Sequence, residues 1–256
     1  FIIKFEKKYN HDEFNQRLRI FKDNFNFINE HNKAAQMGNY TYFLDIGPFA
    51  DMTNQEYYDE YLNPYIQEQT PKCQEVSHDN QNVPVEIDWR EMNAVTPIKN
   101  QGNCGSCWSF STTGAIEGLV SIQTGQLTSL SEQQLVDCSG SFGNQGCYGG
   151  LMPDAFEYVI ENEGLCSETD YPYEASEDNC SKCNIVEGSD ITGCSTIKSG
   201  DSDKLFTALS KQPISVAIQA NSPKFQHYKS GIYDDPNCYK GQLDHGVLLV
   251  AYDSDS

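Results

Sequence analysis

The stretch QGNCGSCWSF, residues 101–110, decides how the rest of the chain is read. Cys104 and Cys107 form a C-x-x-C pair, a spacing that serves three chemistries. A thioredoxin-like redox pair needs a βαβ neighbourhood, and none precedes it. A zinc half-site needs a matching pair, which Cys180 and Cys183 could supply. In the third reading the two sulfurs differ: Cys104 lies in a turn, free to form a disulfide, while Cys107 opens a helix with Trp108 behind it. A thiol at a helix N-terminus is acidified by the positive end of the helix dipole, and the thiolate is the nucleophilic form.

The helix expected over 106–121 is studded with small residues (Ser109, Ser111, Thr112, Thr113, Gly114, Ala115, Gly118), as suits a central helix closely approached by its neighbours. SLSEQQLVDC (129–138) offers Ser131 as the cap of a short helix, and 153–162 reads as another with Pro153 in its first turn. Beyond about residue 190 the texture changes to Val- and Ile-rich strands at 214–218, 230–233 and 247–252. Helices first and strands later point to an α+β domain with a helical lobe facing a β-rich lobe.

Upstream, Phe14, Leu18, Phe21, Phe25 and Ile28 recur at helical spacing, a seam expected to pack on another helix. A second row, Glu13, Arg17, Phe21, Asn24, Ile28 and Asn32, falls within an arc of about 100°. Residues 40–44 read as a short strand, and 51–62 as a second helix capped by Asp51 or Thr53. Residues 63–82 are polar and aperiodic, a linker open to proteolysis.

The 256 residues carry 17 basic and 37 acidic side chains, a formal charge of −20. Such a chain repels phosphate backbones and anionic lipid, so neither nucleic acid nor a membrane surface is an expected partner. No apolar run reaches the ~20 residues that span a bilayer. Ten cysteines point to an oxidising compartment. The chain begins at Phe1 without a cleavable apolar leader, as expected where a leader has been removed or the front is incomplete.

A thiolate nucleophile needs an imidazole partner. His11, His31 and His78 lie in the helical segment or linker, and His227 sits in a polar stretch (KFQHYK) expected to be solvated. His245, in LDHGVLLV, stands at the mouth of an apolar strand where a ring can be held rigidly. CGSCW at 104–108 resembles the signature of papain and the cathepsins, whose histidine lies about 130–150 residues downstream, as His245 does here. The likeness extends along nearly the whole chain. The row from Glu13 to Asn32 resembles the ERFNIN pattern of cathepsin L-like proregions. VPVEIDWREMNAVTPIKNQGNCGSCWSFS resembles the start of the mature enzymes, and SLSEQQLVDCS, GCYGGLMPDAFEYV, YPYEA, QPISVAIQA and LDHGVLLV resemble successive stretches of them.

The resemblance implies a papain-like two-lobe fold with Cys107 and His245 on opposite walls of a cleft, preceded by a small helical prodomain. It implies a helical inhibitory proregion at 1–62, a linker with the activation cleavage region at 63–82, and a peptidase domain at 83–256. The implied protein is the zymogen of a cysteine endopeptidase, a monomer without cofactor or metal, acting on peptides or proteins in a lysosome-like acidic compartment or outside the cell. Cys107 would be the nucleophile and His245 its proton acceptor and donor. Gln101 would supply a side-chain donor to the oxyanion hole beside the Cys107 backbone N–H; losing one such donor typically costs about 100–1,000-fold in rate. Gly149 and Gly150 would hold an extended peptide. Met152, Ala217 and Leu243 would line the pocket for the second residue before the cut, favouring an apolar side chain. The resemblance pairs Cys104 with Cys147 and Cys138 with Cys180, and leaves Cys166, Cys183 and Cys194 outside the common pattern, where two of the three could bridge.

Two departures stand out. The family's asparagine, in an NSW motif roughly 20 residues after the histidine, has no counterpart before Ser256, so the peptidase domain is expected to be incomplete at its C-terminus and Cys238 to be unpaired. The proregion's GxNxFxD pattern reads DIGPFAD at 45–51. The alternative expectation is a catalytically incomplete homologue acting as a binding or inhibitory module. Paired carboxylates in the proregion are expected to hold it in place near neutral pH and to let go as pH falls.

Overall fold

The computed structural model of the chain describes residues 1–63, 72–75, 83–238 and 242–253. Most of the expected linker, 64–71 and 76–82, lies outside them. In chain order the described helices are α1 (His11–Gln36), α2 (Asn54–Tyr61), α3 (Cys107–Thr124), α4 (Glu132–Cys138), α5 (Met152–Glu161), α6 (Ser202–Leu209) and α7 (Pro223–Gln226). The strands are β1 (Tyr42–Leu44), β2 (Gln74–Glu75), β3 (Glu86–Asp88), β4 (Ser195–Thr196), β5 (Ile214–Ile218), β6 (Tyr228–Gly231), β7 (His245–Leu249) and β8 (Ala251–Asp253). The chain forms two compact units, one of residues 1–62 with 219–243, the other of 63–218 with 244–256.

In the first unit, α1 begins where the Asn10 side chain accepts from the Glu13 N–H, with Asp12 and Glu13 in the positive first turn. The polar row on α1 ties down the segment between Leu44 and Glu56. Arg17 reaches Glu56 at 2.9 Å and the Asp51 carbonyl, while Asn24 donates to the carbonyls of Ala50 and Met52. Asn32 pairs with both the N–H and the C=O of Leu44. Ile28 is the apolar member that reaches the core, packed on Tyr42 and Leu44. The other seam differs from expectation. Phe14, Leu18 and Phe25 stay exposed, and Phe14, Leu18 and Phe21 line a cavity with Phe1, Ile2, Ile3 and Tyr9 rather than meeting another helix. Thr53, not Asp51, caps α2, in a capping box with Glu56.

Residues 219–243 complete this unit. β6 pairs antiparallel with β1, Tyr42 opposite Gly231 and Phe43 opposite Ser230. It starts two residues earlier than the apolar pattern suggests, because its partner strand, not its own alternation, sets the register. Gln226 donates to the carbonyls of Phe49 and Met52, and Lys229 meets Asp45 at 2.6 Å. His227 is not solvated. It is 2% exposed, with its ring against Phe27.

The second unit is organised around α3, buried through most of its first four turns. Trp108, Ile116 and Val120 form one core with Leu130, Leu135, Met152, Ala155, Val159 and Leu165. The small residues let strands come close. A methyl group on Gly114 would stand 2.9 Å from Leu248 of β7, and Ser111 donates to the Val247 carbonyl. Burial of Lys99 is balanced by Glu117 and Glu132, each at 2.6 Å. Strands β5 and β7 pair antiparallel, with Ala217 opposite Gly246 and Ile218 opposite His245. The apolar run 247–252 breaks at Val250, after which β8 pairs with β3 instead. Disulfides join Cys104–Cys147, Cys138–Cys180, Cys166–Cys183 and Cys73–Cys194, so three of the four sulfurs in the zinc reading are oxidised to bridges. Cys107 and Cys238 are free thiols.

Candidate active site

Cys107 is the first residue of α3. Ser106 precedes it without a side-chain cap, so the first-turn N–H groups face the sulfur without competition from a capping oxygen. His245 is the first residue of β7. The packing of α3 on β7 brings the two together: the Gly246 N–H, one residue beyond the imidazole, donates to Cys107 Sγ at 3.3 Å. Cys107 is 1% exposed. Burial pushes its pKa up to about 11, opposed by the N–H groups of Gly246 and Trp108. Burial also pushes His245 down to about 4, and its Nδ1 is buried with no hydrogen-bond partner. Both shifts share a cause, the removal of water from a pair whose charged forms need it.

Gln101 lies in the turn before α3 and donates from Nε2 to the Cys104 carbonyl at 2.9 Å. That turn is pinned by the Cys104–Cys147 bridge and by the Gly105 N–H, which donates to the Cys147 carbonyl. Gly149 and Gly150 come shortly after the same bridge. A side chain on Gly150 would collide with Asn144 Oδ1 at 2.5 Å and the Trp108 ring at 2.6 Å, so only glycine lets the backbone lie this close to α3. Met152 is buried at the start of α5, and Ala217 packs against the same cluster. Leu243 is 42% exposed and belongs to the other compact unit.

Sequence reasoning missed Asn63. It is fully buried, donating from Nδ2 to the Gly150 carbonyl at 2.5 Å and from its backbone N–H to the Asp244 carbonyl at 2.6 Å. A residue of the expected linker thus takes acceptors on both flanks of the Cys107–His245 pair. Its only signal was position, at the start of an aperiodic stretch. Cys73 was also missed, as a lone cysteine in a polar run.

Residues 83–256 match the family described as papain family cysteine protease, and residues 1–57 match the cathepsin propeptide inhibitor domain. The chain belongs to the papain family of cysteine proteases. It is 46% identical to cysteine proteinase 6 of Dictyostelium discoideum over 259 residues, covering 99% of this chain and 58% of that one. Digestive cysteine proteinase 1 of Homarus americanus is 46% identical over 255 residues, with 98% of this chain and 79% of the relative covered. Among solved structures, digestive procathepsin L2 from Tenebrio molitor larval midgut superposes with a TM-score of 0.90 at 35% identity, covering 99% of this chain and 83% of that one. The fold is therefore papain-like, with a propeptide domain ahead of the peptidase domain.

Proposed function

We propose that this protein is the zymogen of a cysteine endopeptidase, with an inhibitory proregion at 1–62, a linker cut on activation at 63–82 and the peptidase domain from 83. The observation that carries the reading is the Gly246 N–H to Cys107 Sγ hydrogen bond, which joins the helix-terminal thiol to the residue next to His245, whose buried Nδ1 has no hydrogen-bond partner. Proton transfer from Sγ to the His245 ring leaves a thiolate, which attacks the peptide carbonyl carbon. The C=O electron pair moves onto oxygen, stabilised by the Cys107 N–H and the Gln101 amide. Collapse breaks the C–N bond, and the imidazolium gives its proton to the departing amine. Water then releases the acyl group from sulfur by the same steps in reverse order.

Substrate lies extended along Gly149 and Gly150, and Met152 and Ala217 favour an apolar side chain two residues before the cut. Asn63 supports a proregion that blocks the site, since its bonds to Gly150 and Asp244 use acceptors open to a bound peptide backbone. The chemistry draws only on groups of this chain and suits an acidic lysosome-like compartment or secretion, with peptides or proteins as substrates. No described helix is long and apolar enough to cross a membrane. The test is Cys107→Ala in the full-length protein: peptide hydrolysis and self-processing are expected to disappear, and retained hydrolysis would reject the assignment.

A further inference from the structure

One side chain outside the expected catalytic set touches both ends of the loop that carries the oxyanion donors. Tyr173, in the YPYEA stretch, places its hydroxyl 2.7 Å from the Gln101 carbonyl and 2.6 Å from Ser106 Oγ. Burial pushes the phenol up to about 12, so the hydroxyl keeps its proton. That single proton goes to the Gln101 carbonyl, which leaves the Tyr173 oxygen to accept from Ser106. A directed chain therefore runs from the residue before Cys107, through the phenol, to the backbone of Gln101. The ring itself is fixed, edge-on to Phe110 of α3 with centroids 4.9 Å apart, and its backbone N–H donates to Glu168.

We infer that Tyr173 is a positioning residue for the oxyanion hole, setting the Gln101 amide and the Cys107 backbone N–H at the separation that a developing oxyanion requires. The inference rests on the proposed peptidase reading and adds a residue to it. The disulfide Cys104–Cys147 holds the middle of the 101–107 loop, and Gln101 Nε2 and the Ser106 N–H both donate to the Cys104 carbonyl, but neither contact joins the Gln101 backbone to Ser106 directly. The phenol closes that span. Hydrogen bonds aimed at an oxyanion act only if they are in place before charge develops, so loosening the span lowers transition-state binding while the ground-state peptide, held by Gly149 and Gly150, is unaffected.

The test compares the wild-type full-length protein, after processing, with Tyr173→Phe, which keeps the ring and removes the hydroxyl. The probe is a peptide aldehyde. Its carbonyl carbon bonds to Cys107 Sγ, and its oxygen takes up the electron pair and enters the hole. Aldehyde affinity and kcat are each expected to fall about tenfold, the factor equivalent to one neutral hydrogen bond. KM and the rate of Cys107 alkylation by iodoacetamide, which needs no oxyanion hole, are expected to stay within about twofold. Ser106→Ala, cutting the chain from its other end, should reproduce the loss, and the double variant should lose no more than either single one. Unchanged aldehyde affinity in Tyr173→Phe overturns the assignment alone, as does an equal fall in alkylation rate. A wild-type protein that neither hydrolyses peptide nor binds the aldehyde overturns the peptidase reading together with it.

Discussion

The Cys73–Cys194 bridge makes release of the proregion depend on where the linker is cut. Residues 72–75 are strapped to the peptidase unit by that bridge, by Lys72 against Asp154 and Glu157, by the β2–β4 pairing and by Lys204 against Glu75. A cut after residue 75 therefore leaves the proregion covalently attached, with Asn63 only ten residues from the anchor. Such a short tether keeps the blocking segment at an effective concentration on the order of 1 mM. At about 10 nM protein, an untethered proregion is present at only that bulk concentration, so the bridge raises local occupancy roughly 100,000-fold. The perturbation is Cys73→Ser with Cys194→Ser, in a Cys107→Ala background cut in trans within 76–82. The assay is size-exclusion chromatography and non-reducing electrophoresis over a dilution series, with the reduced sample as control. Two thiols, or one dithiol, convert the bridge to two Cys–SH groups and yield the matching external disulfide. The bridged protein is expected to stay together at every dilution until reduced, and the serine variant to release its proregion on dilution. Two chains separating from the unreduced bridged protein, or identical dilution curves for both, would refute the reasoning.

Further predictions concern titration and packing. With the Cys107 thiol at about 11, roughly one molecule in 10,000 holds a thiolate at pH 7, about 300-fold fewer than for a free cysteine; iodoacetamide should label the zymogen correspondingly slowly, with no inflection below pH 8. In the proregion-bearing unit, burial holds His227 down at about 4. The Lys229 hydrogen bond lowers Asp45; Glu56 is raised by burial, but bonds from Thr53 and Arg17 outweigh this and lower it. All three depressed groups stabilise the fold above their unfolded pKa values and withdraw that support as pH falls through the folded ones. His227→Phe should accordingly move the midpoint of acid-driven unfolding of this unit to lower pH, and an unchanged midpoint would discount the histidine. Burial raises Glu132 to about 7 despite Lys99, so its contribution is present at acid pH and lost as pH rises through neutrality. Glu132→Gln should flatten that dependence in thermal melts, whereas Lys99→Met, leaving two carboxylates buried without their cation, should cost about 3–5 kcal/mol. Asn63→Ala removes the side-chain bond to Gly150 and should weaken inhibition by a separate segment of residues 1–75 about five- to tenfold, measured as its inhibition constant.

Much of this was legible in residue types. A helix-terminal thiol and a histidine heading an apolar strand are local features, and the row from Glu13 to Asn32 could be seen on one helical face before its partners were known. Those partners were not legible, because Leu44, Ala50 and Met52 answer through backbone atoms, which carry no sequence identity. His227 looked solvated because its neighbours in the chain are polar; its ring instead packs on Phe27, far away in the chain. Cys73 pairs across 121 residues, and a polar linker gives no hint of its partner. Tyr173 is one of 15 tyrosines, distinguished only by the two oxygens its hydroxyl meets.

The most direct measurement is mass spectrometry of the processed protein, acid-quenched during turnover of an activated peptide ester. An acyl group carried on Sγ of Cys107, removed by hydroxylamine and missing when His245 is replaced by alanine, is the predicted result. An acyl group found on any other residue, or turnover with Cys107 left unmodified, would contradict the account.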